Sequence, residues 1–319
     1  MTHSWTTLGT HGPRITPLVL GGNTFGWTSD RDETFAVLDA FTGEGGNVID
    51  TADSYSAWAP GNTGGESETL IGEWMRKREA RSRVLISTKV SQHPDHRGLA
   101  PTNIRAAADA SLHRLGADHI DVYYAHFDDP TVPLADTAAA FDALVRAGKV
   151  RQIGLSNYTG ERVGEWLRVA EEESLTAPTV IQPHYNLVKR LPYESNIAPI
   201  VERHGLSVVP YFSLASGFLT GKYRTEDDFV GVAREQMARG YYSPEALSVV
   251  DVLVEVAADA RVEPATVALA WLLSRPSVVA PIASARTPQQ LDALLEVRNV
   301  TLTDDQLATL NAASDRVDA

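Results

Sequence analysis

Four residues in this chain could together deliver a proton to a carbonyl oxygen: Asp50, Tyr55, Lys89 and His126. A free tyrosine has a pKa of about 10, which makes it a poor proton donor and acceptor near neutrality. A neighbouring ammonium stabilises the phenolate and lowers that pKa, and Lys89 can supply the charge. Asp50 can pair with Lys89 and keep it charged and aimed. His126 can hydrogen-bond a substrate oxygen beside the Tyr55 hydroxyl. Such a site protonates a carbonyl oxygen as negative charge develops on it. No side chain supplies hydride, so a reduction here demands a nicotinamide or flavin cofactor. Taken singly, each residue has an ordinary structural reading. Asp50 could cap a turn, Tyr55 cover surface, Lys89 reach water, and His126 be a satisfied structural histidine.

Their placement along the chain gives the chemical reading its weight. Asp50 ends an apolar run, Asn47–Asp50, and Tyr55 lies on the loop just beyond. Lys89 follows the run Val84–Thr88, and His126 follows Ile120–Ala125. Ser156 and Asn157 follow Val150–Leu155, Gln182 lies near the end of Thr179–Pro183, and Tyr211 ends Leu206–Tyr211. Pro17–Leu20, closed by Gly21-Gly22, and Val278–Ile282 bring the apolar runs to eight. Between them, stretches with helical spacing of apolar residues are expected at Arg31–Thr42, Glu66–Arg78, Thr102–Leu115, Leu134–Ala147, Gly160–Glu173, Ile197–His204 and Pro288–Leu295. A long polar loop carrying two helices is expected from Tyr211 to Leu273. Trp5–Leu8 and Arg14–Ile15 flank Gly9-Thr10-His11-Gly12-Pro13 and read as a hairpin.

Runs such as Val84-Leu85-Ile86 are continuous rather than alternating, as expected for strands buried on both faces. Eight βα units predict an α/β fold, a (β/α)8 TIM barrel with an N-terminal β-hairpin, forming one domain over residues 1–319. In such a barrel the polar residues at the strand ends share one rim. An open doubly wound sheet is the alternative, but Gly21-Gly22-Asn23-Thr24-Phe25-Gly26 lacks its G-x-G-x-x-G fingerprint.

Composition removes other classes. Net charge is −13 with no offsetting basic run, which argues against nucleic acid and anionic membranes as partners. With no cysteine there is no disulfide framework, thiol catalysis or cysteine-bound metal. None of the nine histidines forms an H-x-H or H-x-x-x-H pair, so no metal site is expected. Met1 to Thr10 is polar and lacks a signal-peptide apolar core, and no run reaches membrane-spanning length. A cytoplasmic protein is expected.

The motifs resemble those of the aldo-keto reductase family over nearly the whole chain. Asp50-Thr51-Ala52-x-x-Tyr55, Lys89 and His126 match that family's catalytic Asp, Tyr, Lys and His in order and spacing. Gly65-Glu66-Ser67-Glu68 resembles its Gly-x-Ser-Glu, and Gly154-Leu155-Ser156-Asn157 its Gly-x-Ser-Asn. Pro210-Tyr211-Phe212-Ser213-Leu214 with Gly217-Phe218-Leu219-Thr220-Gly221-Lys222 resembles its strand-seven loop, and Ala285 to Leu291 its cofactor phosphate segment.

The resemblance implies reduction of an aldehyde or ketone with NADPH, preferred over NADH, by a barrel with C-terminal cofactor-binding loops. It implies that Ser156, Asn157 and Gln182 hold the nicotinamide carboxamide and that Tyr211 stacks on the ring. Ser213, Leu214, Gly217 and Lys222 would wrap the pyrophosphate, and Ser284, Arg286 and Gln290 would meet the adenosine end. Asn23, Thr24 and Phe25 after the first strand, together with Asp50, join the cofactor set. A helix N-terminus at Thr287-Pro288 and an arginine fork suit a 2′-phosphate. The chain departs from the family pattern at Ser56 and Ser284, where glycine is frequent, and at Ala293 and Leu294, where an acid and an asparagine often hold adenine.

Trp27, Tyr55, Trp58, His126, Phe127 and Phe212 are the candidate substrate walls, and Ser56 to Gly64 is the loop expected to shape the pocket. Thr225 to Ser243 reads either as a lid over the cofactor or as a solvated insertion. The substrate is a small carbonyl compound, with sugars, aldehydes, ketones and aromatics all open. The rival functions are an NADP(H)-binding sensor subunit of the same fold and a barrel isomerase or lyase.

Overall fold

Strands covered on both faces need an apolar or satisfied environment at every side chain. The computed structural model describes residues 5–9 and 11–317. Met1–Ser4 of the polar N-terminus, Thr10 of the expected turn and the last two residues lie outside that set. Eight parallel strands form one sheet: Val19–Gly21, Val48–Asp50, Leu85–Val90, Ile120–Ala125, Val150–Ser156, Val180–Gln182, Ser207–Val208 and Ile282–Ala283. Each pairs with the next in sequence, and the eighth returns to the first with Ile282 opposite Val19. Between the seventh and eighth, Val208 N donates to Ser277 O at 2.8 Å, Val279 N to Val208 O at 3.0 Å and Ile282 N to Pro210 O at 2.9 Å. These bonds close a (β/α)8 barrel, so the open-sheet alternative is excluded.

Several expected boundaries shift for identifiable reasons. The run Leu206–Tyr211 pairs regularly only over Ser207–Val208, and Val278–Ile282 is replaced by Ile282–Ala283. Pro210 and Pro281 have no N–H to give to a ladder, which breaks both strands. The third strand runs on to Val90, so Lys89 sits within the strand rather than after it.

The helix Arg31–Gly43 starts at a capping box: Glu33 N donates to Asp30 Oδ1 and Asp30 N to Glu33 Oε2, both at 2.9 Å. Where two helices were expected before Leu273, the chain makes two short 3-10 turns, Ala215–Thr220 and Glu226–Phe229, and three helices, Glu235–Arg239, Pro244–Ala260 and Pro264–Leu273. Besides short 3-10 and π turns, two described elements have no counterpart in the sequence reading. One is a small hairpin, Gln92–His93 with His96–Arg97, and the other is the helix Asp304–Ser314. That helix announces itself by a Thr303–Gln306 capping box, a signal the sequence contained.

The barrel interior is filled by Val19, Val48, Val122, Tyr124, Val180, Val209 and Ile282. Leu8 and Ile15 of the N-terminal hairpin join this cluster, and Gly9 N donates to Ser207 Oγ at 2.8 Å. The hairpin therefore plugs the amino end of the barrel and leaves the carboxyl end open. A larger apolar layer, including the fully buried Trp74, Trp166 and Trp271, lies between the strands and the helices. Gly154 stands where a Cβ would come within 2.3 Å of the Tyr124 ring. That close approach explains the glycine of Gly154-Leu155-Ser156-Asn157.

Candidate active site

At the carboxyl end of the second strand, the Asp50 carboxylate is buried and fully hydrogen-bonded. Its Oδ1 accepts from Ser87 Oγ at 2.8 Å and Gln182 Nε2 at 3.0 Å, and its Oδ2 accepts from Lys89 Nζ at 2.6 Å. The Lys89 ammonium spends its remaining protons on Thr51 O at 2.7 Å and the Tyr55 hydroxyl at 2.9 Å. An ammonium has three protons and no acceptor, so this one is saturated. Burial alone would lower its pKa, but the Asp50 charge and the Tyr55 oxygen together raise it above 10.5, and it stays charged.

The strand ends are held in place by the residues around them. Thr51 Oγ1 donates to Ser67 Oγ at 2.8 Å, and Ser67 Oγ donates to Gly22 O at 2.8 Å, joining the loops after the first two strands. Glu68 of the same Gly-x-Ser-Glu stretch is fully buried and accepts from Thr88 Oγ1 at 2.5 Å and Arg114 Nε at 2.6 Å. Nearby Asp53 is also fully buried, and neither of its carboxylate oxygens has a partner. Burial, reinforced by the Glu68 charge, pushes its pKa well above 3.8.

One expectation is corrected here. Lys89 lies where it was expected against Tyr55, yet the Tyr55 pKa is raised above 10.0, not lowered. Removal of the phenol from water is the largest effect, and Lys89 only partly offsets it. Tyr55 is therefore held protonated, the form a proton donor needs. Because its oxygen accepts from Lys89, its own proton is free to point elsewhere. His126 lies across from it, with ring centroids 6.2 Å apart. Burial and then the Lys89 charge push the His126 pKa well below 6.5, so the imidazole is neutral. Its Nδ1 is buried without a partner, which leaves Nε2 as the nitrogen available to a ligand.

These groups open on a cleft of about 1430 Å³. Asn23, Thr24, Ser156, Asn157, Gln182, Tyr211, Ser213, Leu214, Gly217, Lys222, Ser284, Arg286 and Gln290 all line it. So do the expected walls Trp27, Trp58, Phe127 and Phe212. Phe25 does not. Its ring is fully buried in the apolar layer, and its carbonyl accepts from Ser56 Oγ at 2.7 Å. Asn157 takes a positive φ of 58° and bridges the rim, donating to His126 O at 2.9 Å and accepting from Tyr211 OH at 2.6 Å.

The segment Thr225 to Ser243 is largely exposed but anchored at a few points and borders the cleft. Phe229 is fully buried against Tyr223, Tyr241 OH meets His184 Nε2 at 2.6 Å, and Gly231 to Arg234 and Met237 line the cleft. Arg234 reaches across to Asn23 Oδ1 at 3.4 Å, an oxygen that also accepts from Ser284 Oγ at 2.7 Å. Sequence reasoning missed Arg234, since nothing in a polar loop marks which arginine folds inward. It is half-buried, and burial followed by the neighbouring Arg286 charge lowers its pKa.

Among the described residues, none of the cleft cations Arg97, Lys222, Arg234 and Arg286 has a carboxylate within ion-pair distance. Ser216 Oγ, also facing the cleft, is buried without a partner. The half-buried, unpaired Arg234 and the orphaned Ser216 hydroxyl, with the exposed Lys222 and Arg286 along the same channel, fit a polyanionic ligand.

Comparison with known proteins agrees with the fold. The model of the aldo/keto reductase family matches residues 17–315. Protein tas of Escherichia coli (strain K12) is 31% identical over 93% of this chain and 94% of its own length. Norsolorinic acid reductase B of Aspergillus parasiticus is 32% identical over 94% of this chain and 81% of its own. A probable voltage-gated potassium channel subunit beta of Oryza sativa subsp. japonica is 32% identical over 89% of this chain and 88% of its own. With such relatives spanning both chains, and with a closed barrel carrying Asp50, Tyr55, Lys89 and His126 at one rim, the chain belongs to the aldo/keto reductase family.

Proposed function

We propose that the protein is an NADPH-dependent oxidoreductase that reduces an aldehyde or ketone to an alcohol. The observation that carries this reading is the Lys89 Nζ at 2.9 Å from the Tyr55 hydroxyl, itself anchored at 2.6 Å to Asp50. When bound, a reduced nicotinamide supplies the hydride. Tyr55 gives its proton to the carbonyl oxygen, and the phenolate left behind is stabilised by the Lys89 ammonium already bonded to it. Asp50 balances that ammonium and fixes its direction. The neutral His126 holds the substrate oxygen through Nε2. Ser156, Asn157 and Gln182 would hold the carboxamide, Tyr211 the nicotinamide ring, and Gly217, Lys222 and Arg234 the pyrophosphate. Arg286 would hold the 2′-phosphate, which would favour NADPH over NADH. Thr225 to Ser243 acts as the lid that keeps water from the reacting atoms.

The test is a panel of aldehydes and ketones with NADPH and NADH run in parallel. Consumption of NADPH that depends on the carbonyl supports the reading, and tight NADPH binding without turnover on any member contradicts it. The second reading, an NADP(H)-binding regulatory subunit, is favoured by one observation, the likeness to a protein named as a channel beta subunit. Binding without turnover is the outcome that reading expects.

A further inference from the structure

We propose that the hydroxyl of Tyr211 is a positioning group for the reaction, acting through the Asn157 amide to keep the nicotinamide cradle in register with His126. It rests on the reading above and adds a role for the phenol oxygen, since there Tyr211 acts only through its ring. Only one orientation of the Asn157 amide satisfies its neighbours. His126 O is a backbone carbonyl and can only accept, so the amide group 2.9 Å from it is the NH2. The amide oxygen then faces Tyr211, and at 2.6 Å the phenol donates to it. The second Nδ2 proton goes to Ser156 Oγ at 3.1 Å. Both amide protons are therefore spent, and Oδ1 keeps one lone pair for a ligand.

This pin is anchored on both sides. Tyr211 N donates to Pro183 O at 2.9 Å, and its ring packs on that of His184 with centroids 5.3 Å apart. Burial, and then the neighbouring Tyr55, push the Tyr211 pKa up to about 12, which keeps the donated proton in place. Asn157 adopts the left-handed region, φ 58°, which asparagine tolerates better than most residues. Ser156 Oγ donates to Gln182 O at 3.0 Å, and Gln182 Nε2 to Asp50 Oδ1 at 3.0 Å.

One hydrogen-bonded circuit thus joins Tyr211, Asn157, Ser156, Gln182 and Asp50, with a branch to His126. It ties together the loops after the fourth, fifth and seventh strands. Asn157 would hold the carboxamide and His126 the substrate oxygen, so this frame sets how hydride donor and acceptor meet. A misplacement of about 1 Å at such a site can cost about 10²-fold in rate.

The experiment measures Tyr211→Phe, Asn157→Gly and the double variant with NADPH and an aldehyde that the wild type reduces. Phenylalanine keeps the ring and removes the donor. Glycine accepts the left-handed backbone and removes the amide. Tyr211→Phe is expected to lower kcat by about 10–100-fold, while NADPH affinity, read by fluorescence titration, stays near wild type. In the Asn157→Gly background the same change is expected to cost less than about 2-fold, because the hydroxyl acts only through that amide. A Tyr211→Phe variant as active as the wild type overturns the inference. So does a loss that persists undiminished without the Asn157 side chain, or one that falls wholly on NADPH affinity. In each of these cases the reductase reading survives. If the wild type reduces no aldehyde, the reductase reading itself fails, and this inference with it.

Discussion

The proposed reacting corner and the proposed cofactor channel of this cleft treat charge in opposite ways. In the corner, Lys89 and Asp50 have side chains 0% and 3% exposed, and each polar atom has a partner. In the channel, the half-buried Arg234 and the exposed Lys222 and Arg286 face the cleft, and among the described residues none has a carboxylate within ion-pair distance. A buried ion pair survives only when its geometry is complete, so the corner is set before any ligand arrives. Unpaired cations in an acidic protein are instead completed by what binds. The chemistry is thus built in, and the electrostatics of recognition await anions.

This contrast breaks if variants in the two regions behave alike. The largest expected effect is Tyr55→Phe, which lowers kcat by about 10²–10⁴-fold, the usual worth of a general acid, while NADPH affinity stays near wild type. Parallel turnover and fluorescence titrations check this, and loss of both together would merge the two regions. Next is Lys89→Met, which leaves Asp50 buried and uncompensated, at a cost of about 3–5 kcal/mol. Urea denaturation reads that loss, and a midpoint like the wild type's would mean the corner is not organised by its ion pair. Arg234→Ala should spare stability and weaken NADPH by about 10–100-fold, more at low salt than at high. Equal affinities would show that the channel cations are solvated surface charges.

The smallest effect concerns Asp53. Its pKa is near 3.8 when unfolded and well above that when folded. Between those values the folded state holds a proton that the unfolded chain has lost, so stability falls as pH rises. The slope is about 1.4 kcal/mol per pH unit across that window. Asp53→Asn should abolish this slope, and a thermal-denaturation series from acid toward neutral pH would reveal a persisting one.

Much of the corner was legible in the sequence because its parts are local to strand ends. Asp50 and Tyr55 lie five positions apart, and Lys89 and His126 close later apolar runs, so a barrel necessarily gathers them. The direction of the Tyr55 pKa shift was not legible. It depends on how much water the fold removes, and that quantity exists only in three dimensions. The channel was legible in its glycine and serine motifs and in Lys222 and Arg286, but not in Arg234. Arg234 sits in a polar stretch with no periodicity, and Arg97 in a hairpin too short to leave a pattern. The placement of the Phe25 ring was not legible, because its neighbours Asn23 and Thr24 face the cleft while the ring turns into the core. The broken seventh and eighth strands could have been read from Pro210 and Pro281.

The most direct test of a carbonyl-reducing cleft follows the hydrogen itself. NADPH carrying deuterium at the transferable nicotinamide position is mixed with the protein and benzaldehyde, and the alcohol is examined by mass spectrometry and NMR. One deuterium on the carbinol carbon, absent when Tyr55→Phe replaces the wild type, is the predicted result. Alcohol without the label, or labelled alcohol formed as fast by Tyr55→Phe, would contradict the role given to this corner.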